Sequence, residues 1–121
     1  MTKTILVADD DRTLVHGVTK FLQDGGFRVL QAYDGDEALA HIERERPDLI
    51  ILDIQMPKMS GYSFIFELKK HGHGAHVPII VLTSRDSMEE IFRAEGVQDY
   101  IVKPITHKDL LLKVHQYVKP Y

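Results

Sequence analysis

From end to end the chain alternates short apolar runs with segments of helical period. The runs TILVA (4–8), FRVLQA (27–32), DLIILD (48–53), VPIIVLT (77–83) and DYIVK (99–103) are rich in Ile, Val and Leu. Those centred on positions 6, 51 and 81 are nearly continuous, the pattern of strands covered on both faces in a parallel sheet. Pro78 stands near the start of its run, where a missing N–H is tolerated. Between the runs, Leu14, Val15, Val18, Phe21 and Leu22 line one helical face, and Gly25-Gly26 stops that helix. Ala38, Leu39 and Ile42 do the same ahead of Pro47. Ser60 is placed to cap a helix carrying Tyr62, Ile65, Phe66 and Lys69, with half of the apolar stretch from Phe64 to Leu68 facing the core. Asp86 with Glu89 reads as a capping box for a helix carrying Met88, Ile91 and Phe92. Thr106 with Asp109 opens a last helix through Leu110, Leu111, Val114 and Val118. Five β-α units in strict alternation predict a three-layer α/β sandwich around a doubly wound, five-stranded parallel sheet with right-handed crossovers.

Composition narrows the functional classes. At 121 residues, with no internal linker, repeat or low-complexity tract, the chain reads as one domain, 1–121. A net charge of -3 argues against a general nucleic-acid or acidic-membrane binder, which needs a basic excess. The absence of cysteine excludes disulfides, thiolate metal sites and cysteine nucleophiles, and suits a reducing cytoplasm. The opening MTKTILVADD has too short an apolar run for a signal peptide or a membrane span. The expected location is cytoplasmic.

In open parallel sheets ligands bind at the carboxyl ends of the strands, near the point where strand order reverses. Here the first strand ends in Asp9, Asp10 and Asp11, the third in Asp53, the fourth in Thr83-Ser84 and the fifth in Lys103-Pro104. Clustered carboxylates repel one another and call for a cation. A hard divalent ion such as Mg²⁺ answers, because it takes oxygen ligands and commonly combines one or two carboxylates with a phosphate oxygen. With Mg²⁺ and Lys103 screening its charge, the Asp53 carboxylate is placed to attack an incoming phosphoryl group, and the Thr83 hydroxyl to bond a phosphoryl oxygen.

DD after the first strand, D-x-x-M-P-x-M-S-G after the third, T-S after the fourth and D-Y-x-x-K-P at the fifth resemble the receiver domain of two-component response regulators. The resemblance covers essentially the whole chain. It implies a flavodoxin-like (βα)5 fold with strand order 2-1-3-4-5 and a phosphorylation-dependent switch rather than an enzyme with turnover. Asp53 would accept its phosphoryl group from a sensor histidine kinase, a phosphotransfer protein or a small donor such as acetyl phosphate. Asp9, Asp10, Asp53 and the backbone carbonyl of Gln55 would hold Mg²⁺, with Asp9 acting through water. Lys103 would pair with the phosphoryl group, and its bond to Pro104 is cis in the family. Thr83 and Tyr100 resemble the switch pair, which alters the surface of the fourth helix, fifth strand and fifth helix. The implied partners are the phosphodonor protein and a downstream protein or a missing output domain, with a phosphorylation-dependent homodimer as a further option and no direct contact with nucleic acid or membrane.

Asp11 reads as the cap of the first helix. An Asp-nucleophile phosphatase needs a second acid two residues after the nucleophile, where this chain has Gln55. A receiver-like module indifferent to phosphate would be expected to lack an acid, the Thr or the Lys. A flavin-phosphate site would not place acids in its first loop. Gln55 and Arg85 flank the site and are expected to tune the phosphoryl lifetime. KKHGHGAH holds His71, His73 and His76, but it is Gly-broken and joins a helix to the amino end of a strand, so a solvated loop is favoured over a metal site. The segment FRAEGVQDY is shorter than the family pattern by about half a helical turn, predicting a truncated or irregular fourth helix. Ending at Tyr121, the sequence fits either a free-standing receiver or a piece of a longer regulator or hybrid kinase.

Overall fold

Each apolar run folds as a strand, all but the first trimmed by a residue or two: β1 Thr4–Ala8, β2 Arg28–Ala32, β3 Leu49–Asp53, β4 Ile79–Thr83 and β5 Asp99–Val102. The computed structural model describes residues 2–56, 61–70, 76–84 and 97–120. The caps read for Ser60 and for Asp86 with Glu89, the helix of Met88, Ile91 and Phe92, the side chains of Tyr62 and Arg85, His71 and His73 lie outside the described residues, as does most of FRAEGVQDY. Every strand pairing is parallel, and the order is β2-β1-β3-β4-β5. The chain runs outward from β1 to β2, then returns past β1 to β3. The reversal therefore falls between β1 and β3, whose last paired residues are Ala8 and Leu52.

The continuous apolar runs have a simple cause: alternate residues enter two different cores. Leu6, Ala8, Ile50, Leu52, Ile79 and Val81 face one layer, which is closed by Ala38 and Ile42 of α2 (Gly35–Arg44) and by Phe64, Ile65 and Leu68 of α3 (Gly61–Lys70). Ile5, Val7, Leu49, Ile51, Ile80 and Leu82 face the other, closed by Val15, Val18 and Leu22 of α1 (Arg12–Asp24) and by Leu110 and Val114 of the last helix (His107–Tyr117). Burying one such aliphatic side chain contributes about 1.5–3 kcal/mol, so a polar residue in β1, β3 or β4 would be costly.

Helix ends follow local chemistry. Asp11 caps α1, its carboxylate accepting the Leu14 N–H at 3.1 Å, and Thr106 caps the last helix by accepting the Asp109 N–H at 3.2 Å. Asp34 caps α2 in the same way, accepting from Glu37 at 2.8 Å. Gly26, at φ 96°, takes the left-handed conformation that ends α1, and a Cβ there would meet Pro120 at 3.3 Å. The buried face of α3 carries Phe64, Ile65 and Leu68, in line with burial of about half of the stretch from Phe64 to Leu68, and Phe66 is the residue left out, 65% exposed.

Candidate functional site

Two matching turns build the centre of the site. At the end of β1, Asp9 Oδ1 accepts the backbone N–H of Asp11 at 3.0 Å; at the end of β3, Asp53 Oδ1 accepts that of Gln55, also at 3.0 Å. Each carboxylate thereby closes a local turn two residues on, which fixes its rotamer and leaves its second oxygen for other partners. Lys103, just past β5, supplies the cation between them: its Nζ lies 3.0 Å from Asp9 Oδ2 and 3.6 Å from Asp53 Oδ2. Its backbone N–H donates to the Thr83 carbonyl at 2.8 Å, and the peptide bond to Pro104 is cis.

Burial sets the electrostatics. Asp9 is fully buried and Asp53 is 4% exposed, while Asp10 is open to solvent. Burial pushes the Asp53 carboxyl up to about 6; the Gln55 N–H opposes this, the Asp9 charge adds to it, and Lys103 pulls back. For Lys103, burial works against the charge, but Asp9, Asp53 and Asp10 together outweigh it, and the ammonium is held above the usual lysine value. Among the described residues one ammonium serves two buried acids.

One carboxylate oxygen from each of Asp9, Asp10 and Asp53 can be chosen so that all three lie within 4.8 Å of one another. All are hard oxygen donors. Asp9 Oδ2, despite its ammonium neighbour, has no well-angled hydrogen bond among the described residues. An oxygen-seeking cation such as Mg²⁺, which keeps several waters, fits this donor set.

Thr83, at the end of β4, is buried, and its hydroxyl donates to the Ser84 carbonyl at 2.9 Å. Tyr100 lies opposite Val81 in the β4–β5 ladder and packs half-buried against the α2–α3 layer. The structure thus brings Asp9, Asp10, Asp53 and Lys103 together at one sheet edge, with Thr83 ending the next strand. Beside Lys103 a groove of about 600 Å³ runs between Leu14 and Gly17 of α1 and Pro104 to His107. His76 is exposed just before β4, at the opposite edge from the acids. A second polar cluster, Asp99 with Lys113 and Tyr117, was not read from the sequence; the spacing of Lys113 and Tyr117, one helical turn apart, is the only signal of it.

Residues 5–115 match the family model described as response regulator receiver domain. The response regulator MprA of Mycobacterium tuberculosis (strain ATCC 25177 / H37Ra) is 39% identical over 116 residues, covering 94% of this chain and 50% of its own. The chain spans about half the length of the curated relatives it matches. Among solved structures, the chemotaxis response regulator CheY4 of Vibrio cholerae superposes with a TM-score of 0.90 at 32% identity, covering 98% of this chain and 100% of that one. The receiver domain of sensor histidine kinase PA1611 from Pseudomonas aeruginosa PAO1, with magnesium in its active-site cleft, gives a TM-score of 0.87 at 30% identity over 97% of this chain and 98% of its own.

Proposed function

Because the chain belongs to the response regulator receiver family of two-component signalling, we propose that residues 1–121 act as one receiver domain phosphorylated on Asp53. The observation that carries the reading is the pair of buried carboxylates sharing Lys103: Asp53 is fixed by the Gln55 N–H and, among the described residues, shares one ammonium with Asp9. A carboxylate oxygen of Asp53 attacks phosphorus, the bond from phosphorus to the donor breaks, and the electron pair leaves with the donor. With phosphohistidine the donor is an imidazole, which regains a proton from solvent; with acetyl phosphate it is acetate. Domains of this family are generally signalling modules rather than enzymes, and the acyl phosphate is their output state.

Each residue of the site has a role in that step. Lys103 holds the incoming oxygens and offsets their charge, an effect strengthened by the part-buried setting. Asp9, Asp10, Asp53 and the Gln55 carbonyl would hold Mg²⁺, with Asp9 acting through water, and the ion supplies charge neutralisation of the transferring group. Thr83 exchanges its bond to the Ser84 carbonyl for a phosphoryl oxygen, and Tyr100 follows into the space behind it. Phosphate thus favours one of two packings. The groove of α1 and Pro104 beside Lys103 is where a phosphodonor protein would dock, and Gln55 and Arg85 tune the lifetime of the product. The partners are a histidine kinase or phosphotransfer protein on one side and a downstream protein, an output domain or a second phosphorylated copy on the other. The work is done in the cytoplasm. Among the described residues no helix is long and apolar enough to cross a membrane.

Intact mass after incubation with acetyl phosphate and Mg²⁺ tests the reading. The native chain gains one phosphoryl mass only when Mg²⁺ is present, and Asp53→Asn gains none. Absence of gain with acetyl phosphate and with histidine kinases, in a chain that melts cooperatively, would leave a phosphate-independent binding module.

A further inference from the structure

At the end of β5 remote from Lys103 lies the second cluster of opposite charges. Asp99 opens the strand with a side chain 15% exposed. Its Oδ1 accepts from Lys113 Nζ at 2.7 Å and from the backbone N–H of Tyr100 at 2.8 Å, and its Oδ2 accepts from the Tyr117 hydroxyl at 3.0 Å. The one hydroxyl proton of Tyr117 is shared with the Gln98 carbonyl at 3.1 Å. Gln98 is itself fastened to β4: its N–H donates to the Ile79 carbonyl at 3.0 Å, and its Oε1 accepts the Ile79 N–H at 2.7 Å. The two residues ahead of Tyr100 are therefore tied to β4 on one side and to the last helix on the other.

Strand alternation decides what this joint connects. Tyr100 packs toward the α2–α3 layer, whereas Ile101 enters the layer that holds α1 and the last helix. Asp99 shares the Ile101 side of the strand, where Lys113 and Tyr117, one helical turn apart, both reach it. A single carboxylate thus holds the main chain of Tyr100 and two side chains of the helix on the opposite face. Burial works against its charge, yet Lys113, the Tyr100 N–H and Tyr117 hold it below the usual carboxylate value. Burial and the Asp99 acceptor raise Tyr117 in turn. A lone exposed ion pair adds little, but three donors from two elements on one carboxylate make a fixed joint.

Resting on the receiver reading above, we propose that Asp99 is a positioning residue that couples Tyr100 to the last helix, passing a movement of the tyrosine to Lys113 and Tyr117. The joint borders a groove of about 420 Å³ between β5 and the last helix, which also exposes Leu112. Its shape then follows the phosphorylation state at Asp53, through the joint rather than through direct contact with the site.

Amide hydrogen exchange of the full chain, with and without acetyl phosphate and Mg²⁺, tests the coupling when intact mass is read on the same samples. Phosphorylation of the native chain is expected to change exchange over residues 110–117 by about threefold or more. Tyr117→Phe, which removes one oxygen, and Lys113→Met each reduce that response to under about half, while Lys113→Arg retains it and every variant gains the same phosphoryl mass. An undiminished response in Tyr117→Phe and Lys113→Met overturns the coupling, as does a native chain that gains mass with no response at 110–117. Failure of the native chain to gain mass from any donor overturns the phosphoacceptor reading, and the coupling with it.

Discussion

β5 is flanked at each end by an aspartate–lysine contact, and the two are built in opposite ways. At its start Asp99 has as many donors as its carboxylate needs: Lys113, Tyr117 and the Tyr100 N–H. Past its end, Lys103 is the one cation facing Asp9 and Asp53 among the described residues, where Asp9 Oδ2 also lacks a well-angled hydrogen bond. The same residue types therefore give a carboxyl shifted below its usual value at one end and one raised to about 6 at the other. A saturated acid stabilises the fold, whereas an undersupplied buried acid lowers stability and is ready for a cation or a phosphoryl group.

The comparison can be broken most severely at Lys103. Lys103→Met leaves two buried carboxylates without their cation. Phosphorylation by acetyl phosphate, followed by mass against time, is expected to slow by about 10²-fold or more. A rate within about twofold of native would mean that Lys103 does not serve the transfer. Asp99→Ala attacks the saturated end and should cost about 2 kcal/mol in urea unfolding, because charge-assisted hydrogen bonds are lost and Lys113 loses its carboxylate partner. Asp53→Asn should do the reverse. With its charge removed, the metal-free protein near pH 7 becomes more stable by about 1–2 kcal/mol, after allowance for screening by Lys103 and solvent.

Acidity sharpens the contrast because the two carboxyls carry opposite signs. Asp53 is raised above its value in the unfolded chain, so its contribution to stability is fully present below about pH 4 and is lost as pH rises through about 6. Asp99 is lowered, so its contribution is present above about pH 4 and is lost as pH falls through its folded value. Urea midpoints of native and Asp53→Asn protein should therefore converge as pH drops from 7 to 4, while those of native and Asp99→Asn diverge as pH rises from acid toward neutrality. Protons compete with Mg²⁺ for Asp53, so Mg²⁺ affinity measured by calorimetry should fall about tenfold per unit below pH 6. The smallest expected effect is that of Tyr117→Phe on stability, about 0.5–1 kcal/mol, the worth of one hydroxyl on a carboxylate that keeps Lys113 and the Tyr100 N–H.

Much of this could be read from the chain because the determinants are local or repeat with a fixed period. The continuous runs of β1, β3 and β4 state that both faces are covered, and Asp11 and Thr106 cap helices through contacts three residues long. The convergence of Asp9, Asp53 and Lys103 followed from strand order, since parallel strands bring their carboxyl ends to one edge. Which half of Phe64–Leu68 is buried was not legible, because Phe66 is as apolar as Phe64 and only packing against the sheet tells them apart. The cap of α2 by Asp34 was open to reading from its spacing to Glu37 and was passed over. The Asp99 joint was not open to reading in the same way. Its partners are 14 and 18 residues away, are of types common on solvated surfaces, and meet only through the way the last helix lies against β5.

The most direct test follows the carboxyl carbon signals of Asp53 and Asp99 by NMR across a pH titration, with and without Mg²⁺. Without Mg²⁺, Asp53 should titrate near 6 and Asp99 below 3.8; with Mg²⁺, Asp53 should move down by about a unit or more while Asp99 stays in place. An Asp53 that titrates at or below 3.8 without the ion, or one that Mg²⁺ leaves unmoved, would contradict the view that this site is held short of positive charge for its ligand.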